Sequence, residues 1–218
     1  MHVLNALQNL LADIYDVPLP HEIADFLLTD RTQLPQAARD SSTDEQVLLA
    51  ADGETLWIHV YLDAALLRRL ESADPFEALH GGNLADTLTA LEGVSHFLYL
   101  AWNASHDRTV TLMELELQAE IDKYVSSLWL LRAQDPRRFP RELHHVLFGC
   151  THIDPGLAGE RVGLYRCADR YAARYCRRLA RTLQPVSTSA HADVTAELRR
   201  FYRLTRERKI HHIERVAA

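Results

Sequence analysis

The chain predicts a mainly helical α+β fold, on three observations. An aspartate–glycine pair, Asp52-Gly53, separates two apolar runs of strand character, and it is the one hairpin signal present. From Asp63 onward apolar residues recur at helical spacing, with Pro and Gly falling at the breaks. Segment 84–104 is apolar almost all round, as a helix central to its fold is. The expected arrangement is N-terminal helices and one β-hairpin (residues 1–72) packed on a C-terminal helical bundle (73–218), the two parts together or as one continuous domain.

Val3, Leu4, Leu7, Leu10 and Leu11 predict an amphipathic helix over 2–15, ended by Pro18 and Pro20. Pro20 suits the entry to a second short helix at 21–28. Asp30, Pro35, Asp40, Ser41 and Ser42 make 29–45 a loop by composition. In the hairpin, Gln46–Ala51 and Thr55–Leu62 are the strands. Trp57, His59 and Tyr61 then share one face, and Leu56, Ile58, Val60 and Leu62 the other. Two strands alone are marginal, so this hairpin needs helices, a third strand or another chain against it. Helices are expected at 63–71, 84–104, 110–133, 141–149, 159–184 and 192–215, with a short turn at 75–80. Thr111-x-x-Glu114 fits a capping box. Pro136, Pro140 and Pro155-Gly156 mark breaks, and 185–191 reads as a linker.

A hydrophobic content of 47% over 218 residues is ample for a buried core, and a charged fraction of 25% is that of a globular protein. No run of 18 uncharged apolar residues is present, which predicts no membrane-spanning helix. The start Met1-His2-Val3-Leu4-Asn5 lacks the basic and apolar regions of a signal peptide, so a cytoplasmic location is expected. Three cysteines form no disulfide framework. Cys167 and Cys176, nine residues apart in one expected helix, are about 13.5 Å apart along its axis and on opposite faces, too far for a shared zinc. Cys150 and His152 lack a second ligand pair, and all three thiols are expected to be reduced, Cys176 in the core.

The net charge of −6 hides a division. Residues 1–136 hold 22 acidic and 7 basic side chains, and residues 137–218 hold 8 and 17. Such a division fits either internal compensation or an acidic partner for the basic part. Arg170, Arg174, Arg177, Arg178 and Arg181 crowd one helix, and Arg199, Arg200, Arg203, Arg206 and Arg208 the next. Arg174, Arg178, Arg199, Arg203 and Arg206 are the expected partner-binding surface. The partner is another protein or a second copy of the chain; nucleic acid is the weaker expectation because the whole chain is acidic.

Ionisable residues are densest where the chain is most apolar. Segment 84–104 is hydrophobic on every face yet carries Glu92 and His96, four residues apart and so neighbours on one side. In the next helix Met113, Leu117, Ile121, Tyr124 and Leu128 form a core stripe, with Glu120 about 60° and Glu116 about 100° from its centre. A buried carboxylate needs a partner, so Glu92, His96, Glu116 and Glu120 are expected to form a metal site or a buried polar network. For the network, Arg161 and Asp169 are the expected partners, since they lie in one i+4 row with Tyr165, Ala172 and Cys176. For the metal site, carboxylate and imidazole suit iron, manganese or zinc. Glu77-Ala-Leu-His80 and Glu142-Leu-His-His145 have a di-metal spacing, but each glutamate falls in a first helical turn, where capping accounts for it.

No dinucleotide, phosphate-loop, nucleophile-elbow or zinc-protease motif is present. Lys123 and Lys209 are the two lysines, and neither sits in a sequence context suited to a Schiff base. Two functional classes remain. The first is a soluble intracellular binding or adaptor-type protein, favoured by the charge division and the missing catalytic motifs. The alternative is a metal-dependent enzyme, di-iron in its fullest form, with its site between helices 84–104 and 110–133.

Overall fold

The computed structural model describes residues 2–53, 55–149, 159–184 and 188–215. Cys150, His152, Pro155-Gly156 and the start of the expected 185–191 linker lie outside the described residues. The chain is a mostly helical α+β protein. Its elements are α1 (His2–Tyr15), β1 (Leu27–Leu28), α2 (Gln36–Arg39), β2 (Glu45–Asp52), β3 (Thr55–Leu62), α3 (Ala64–Ser72), α4 (Leu84–Ala104), α5 (Leu112–Gln134), α6 (Leu143–Phe148), α7 (Gly159–Leu183), α8 (Thr188–Tyr202) and α9 (Arg206–Arg215). Two compact units divide them. The first takes α1 up to Asp13 and residues Val17–Thr109; the second takes Ile14–Asp16 and the described residues from Val110 onward. α4 belongs to the first unit, with the sheet that precedes it.

In the first unit the expected hairpin forms, β2 antiparallel to β3, with Asp52 opposite Thr55 and Glu45 opposite Leu62. Gly53 has a φ of 60°, the left-handed conformation that favours glycine in a tight turn. Ile58, Val60 and Leu62 are buried while His59 is exposed, as a period of two requires. Tyr61 breaks the pattern and is buried; the Arg31 guanidinium covers its ring at 4.9 Å. Toward the turn the burial fades, and Leu49, Leu56 and Trp57 are exposed.

The helix expected at 21–28 is a 3₁₀ turn at Ile23–Phe26 followed by a strand, Leu27–Leu28, which pairs in parallel with Val60–Tyr61. The Gln8 side chain explains the difference. It accepts from the Ile23 N–H at 2.7 Å and donates to the His21 carbonyl at 2.7 Å, satisfying backbone groups that a helix would use. The sheet order is β1-β3-β2, one strand more than the sequence reveals. The 29–45 loop contains a 3₁₀ turn at Arg31–Gln33 and the one-turn α2.

α4 is buried on nearly every side, as its composition predicts. Asn83 fixes its start, accepting from the His80 N–H and donating to the Ala73 and Ala78 carbonyls. At Gly93 an added Cβ would meet Val60 Cγ1 at 3.0 Å, Glu45 Cγ at 3.3 Å and Leu62 Cδ2 at 3.3 Å. The missing side chain is therefore what lets α4 lie directly on β2 and β3.

In the second unit Thr111 caps α5 by accepting from the Glu114 N–H, as the capping box predicts. α5 packs on α6 and α7, and α7 packs on α8 and α9. Leu117, Ile121, Tyr124 and Leu128 meet a core completed by Ala172, Tyr175, Cys176, Leu179, Leu198 and Phe201. Each such leucine contributes about 1.5–3 kcal/mol by leaving water. The single helix expected at 192–215 is two, broken at Arg203–Thr205, and α8 begins earlier, at Thr188. The break turns Lys209 and Ile213 into the core, while Thr205 is exposed and His212 only half-buried.

Candidate functional site

Glu45 opens β2 on the face that meets α4, and the absent Cβ of Gly93 leaves room for its side chain there. Glu45 Oε1 lies 3.3 Å from His96 Nδ1, with side-chain exposures of 12% and 5%. One turn earlier on α4, a Glu92 carboxylate oxygen lies within 4.8 Å of a His96 ring nitrogen. His96 is buried and Glu92 half-buried. A carboxylate at Nδ1 favours the tautomer with its proton on that nitrogen and turns the Nε2 lone pair into a ligand atom. Two carboxylates beside one imidazole also form a set that an added cation neutralises. Glu92 and His96 are thus brought together as their spacing predicts. Glu45 is the residue that sequence reasoning missed. Its signal is an acidic residue in register with Val47 on the inward face of a strand.

Glu116 and Glu120 belong to α5 in the second unit. Glu116 is buried, 4% exposed, and so is Glu114. Glu120 is half-buried and accepts from Lys123 Nζ at 2.7 Å. Of the expected network partners, Asp169 is half-buried and Arg161 is exposed. Arg161 lies on the right side of α7 but at its first turns; among the described residues, the first one buried on that helix is Ala168.

The second unit has a buried polar network of its own, built from residues that lie far apart along the chain. Lys209 is fully buried and donates to Gln118 Oε1 at 2.6 Å. Gln118 Nε2 donates to Asp122 Oδ1 at 2.7 Å, and the Tyr15 hydroxyl donates to the same oxygen at 2.5 Å. Lys209 Nζ stands 5.2 Å above the Phe201 ring and 5.9 Å above that of Tyr202, which stacks on Tyr15 at 4.3 Å. Burial, reinforced by the Asp122 charge, pushes the Tyr15 hydroxyl well above its ordinary pKa, so it stays a donor. The i,i+4 spacing of Gln118 and Asp122 on a core helix is the one local signal for this network.

Most arginines of the expected partner surface have intramolecular roles. Asp16, at a φ of 55°, ends α1, and Val17 N–H bonds back to the Ala12 carbonyl. Arg199 donates to the Ile14 carbonyl and Arg203 to those of Tyr15 and Asp16, capping the negative end of the helix. Arg178 donates to Glu197 at 3.1 Å, beside His212, whose Nε2 is 2.5 Å from the same oxygen. Burial would raise the Glu197 carboxyl, but His212 and Arg200 hold it below its ordinary value. Arg206 pairs with Glu207. Arg174 differs: it is exposed, and among the described residues it makes no ion pair. It belongs to a row on α7, Arg166, Arg170, Arg174, Arg177 and Arg181, all exposed. At about 100° per residue these five fall within an arc of about 80°, centred opposite the buried Ala168, Ala172, Tyr175 and Leu179.

Comparison with protein families, with curated proteins and with solved structures finds no match to this chain.

Proposed function

We propose that this protein binds a divalent transition metal, iron, manganese or zinc, through Glu92 and His96, with Glu45 holding the imidazole. The observation that carries this reading is the part-buried contact of His96 Nδ1 with Glu45, one helical turn from a second carboxylate. Carboxylate and imidazole donors suit all three ions, and a carboxylate behind a ligating histidine fixes its ring and raises its basicity. The reading needs neither Glu116 nor Glu120. Its catalytic form is a metal-dependent enzyme, in which the ion polarises a bound substrate or water.

Elemental analysis of untagged protein purified without chelator tests it. Near-stoichiometric iron, manganese or zinc is expected, lost in His96→Ala and weakened about 10–100-fold in Glu45→Gln. Protein that is metal-free as purified and takes up none of the three ions on titration would sink the reading.

A second reading, the binding or adaptor-type protein, draws on a different observation: five exposed arginines in one row on α7, free of ion pairs among the described residues. It asks nothing of His96 or Glu92.

A further inference from the structure

The arginine row of α7 is too uniform for a surface whose only task is solvation. Solvated helix faces normally intersperse charges of both signs. Within the arc of Arg166, Arg170, Arg174, Arg177 and Arg181, the other residues are Gly159, Gly163 and Gln184, and none is acidic. Successive arginines are three or four residues apart, the spacing at which like charges on a helix repel and destabilise it. The row runs for about 22 Å, each guanidinium about one turn from the next. Arg170 stands over Tyr171 at 5.5 Å and reaches Cys167 Sγ; the remaining four make no hydrogen bond or ion pair among the described residues.

We infer that this row binds the phosphate backbone of a nucleic acid, without regard to its sequence. The claim rests on the binding-protein reading and is independent of the metal. Three features select the partner. Guanidinium forks match phosphate oxygens bidentately, and arginine rather than lysine supplies every charge in the row. An acidic protein partner would want apolar anchors at the centre of its contact, and the arc contains none. An anionic membrane surface would want an apolar helix face to insert, and that of α7 is committed to the core through Ala172, Tyr175 and Leu179. The net charge of −6 opposes long-range attraction. At physiological salt, however, fields beyond about 8 Å are screened, so the local row decides.

Fluorescence anisotropy of the full chain with labelled single-stranded RNA and DNA 20-mers, across a salt series, tests the inference. With five phosphate contacts, log K should fall against log salt with a slope of about −3.5. Arg174→Gln with Arg177→Gln should weaken binding to both probes and flatten the slope by about 1.4. Arg208→Gln, exposed on α9 outside the row, should change neither. A circular dichroism melt no lower than that of the parent shows that the double variant stays folded, as removing like-charge repulsion predicts. Absence of binding at low salt overturns the inference. So does binding that survives the double variant. Displacement of the probe by polyglutamate as readily as by RNA also overturns it, while leaving the row as a contact for an acidic protein.

Discussion

In the second unit, Lys209, Gln118, Asp122 and Tyr15 form a hydrogen-bonded series in which a buried cation answers a buried carboxylate. In the first unit, His96 meets Glu45 and Glu92, one imidazole against two carboxylates. Both sets sit among leucines and aromatics, and both satisfy the rule that buried charge must be answered. They differ in balance. The Lys209 series links a cation and a carboxylate through one amide and is read as structure. The His96 set places two carboxylates beside one imidazole, donors of the kind that hold a metal ion, and it carries the proposed function. Buried charge alone therefore does not mark a site; its sign and donor chemistry do.

The largest effect should come from breaking the balanced series. Asp122→Ala strips the buried Tyr15 hydroxyl and the buried Gln118 amide of the acceptor they share. A loss of about 3–5 kcal/mol is expected, measured by urea unfolding. A loss below about 1 kcal/mol would mean that Asp122 is not what satisfies this series, and the contrast with the His96 set would dissolve.

A smaller effect should come from the first unit, at the residue that sets the distance between helix and sheet. Gly93→Val places methyl groups where Val60, Glu45 and Leu62 already stand. Overpacking of this kind costs about 1–3 kcal/mol. The displacement of Glu45 from His96 should also weaken metal binding, read by titration with zinc. Gly93→Ala should be nearly neutral in stability, because about 1 kcal/mol of helix propensity offsets the tight contacts. A Gly93→Val variant with unchanged stability and unchanged zinc affinity would remove the close approach from the account of the site.

How far the sequence reaches follows the range of each interaction. The hairpin, α1 and the helices from α3 to α7 are legible because periodicity, proline breaks and the Thr111 cap are local. β1 is not, because its strand character depends on Gln8, thirteen residues before the His21 carbonyl it binds, and on pairing with Val60 and Tyr61. The division of 192–215 at Arg203–Thr205 escapes a reading that takes the whole range as one helix. In the site, Glu92 and His96 share a helix and were legible as a pair, whereas Glu45 comes from a strand and its role depends on Gly93. Lys209 lacked any sequence context for chemistry, yet among the described residues it is the most deeply buried charge in its unit. The arginine-rich helices were visible, but which arginines remain exposed depends on capping. Arg199 and Arg203 serve the end of α1, a target about 185 residues away in sequence.

The smallest effect is expected at Glu120, the carboxylate that helical phase alone put nearest the core stripe of α5. Its side chain is 25% exposed and its Lys123 partner sits at i+3 on the same helix. Pairs of that spacing are worth about 0.2–0.5 kcal/mol, and partial exposure keeps the desolvation term low. Glu120→Gln should therefore shift stability by less than about 0.5 kcal/mol in urea unfolding. It should also leave metal content unchanged, because the ligands of the proposed centre are Glu92 and His96. This sharpens the comparison from its weak end: one carboxylate on α5, Asp122, should matter greatly, and another two residues away hardly at all. A loss above about 2 kcal/mol, in the range of a broken buried pair, would move Glu120 into the same class as Asp122. A loss of bound metal in that variant would return Glu120 to the ligand set and redraw the proposed centre around α5.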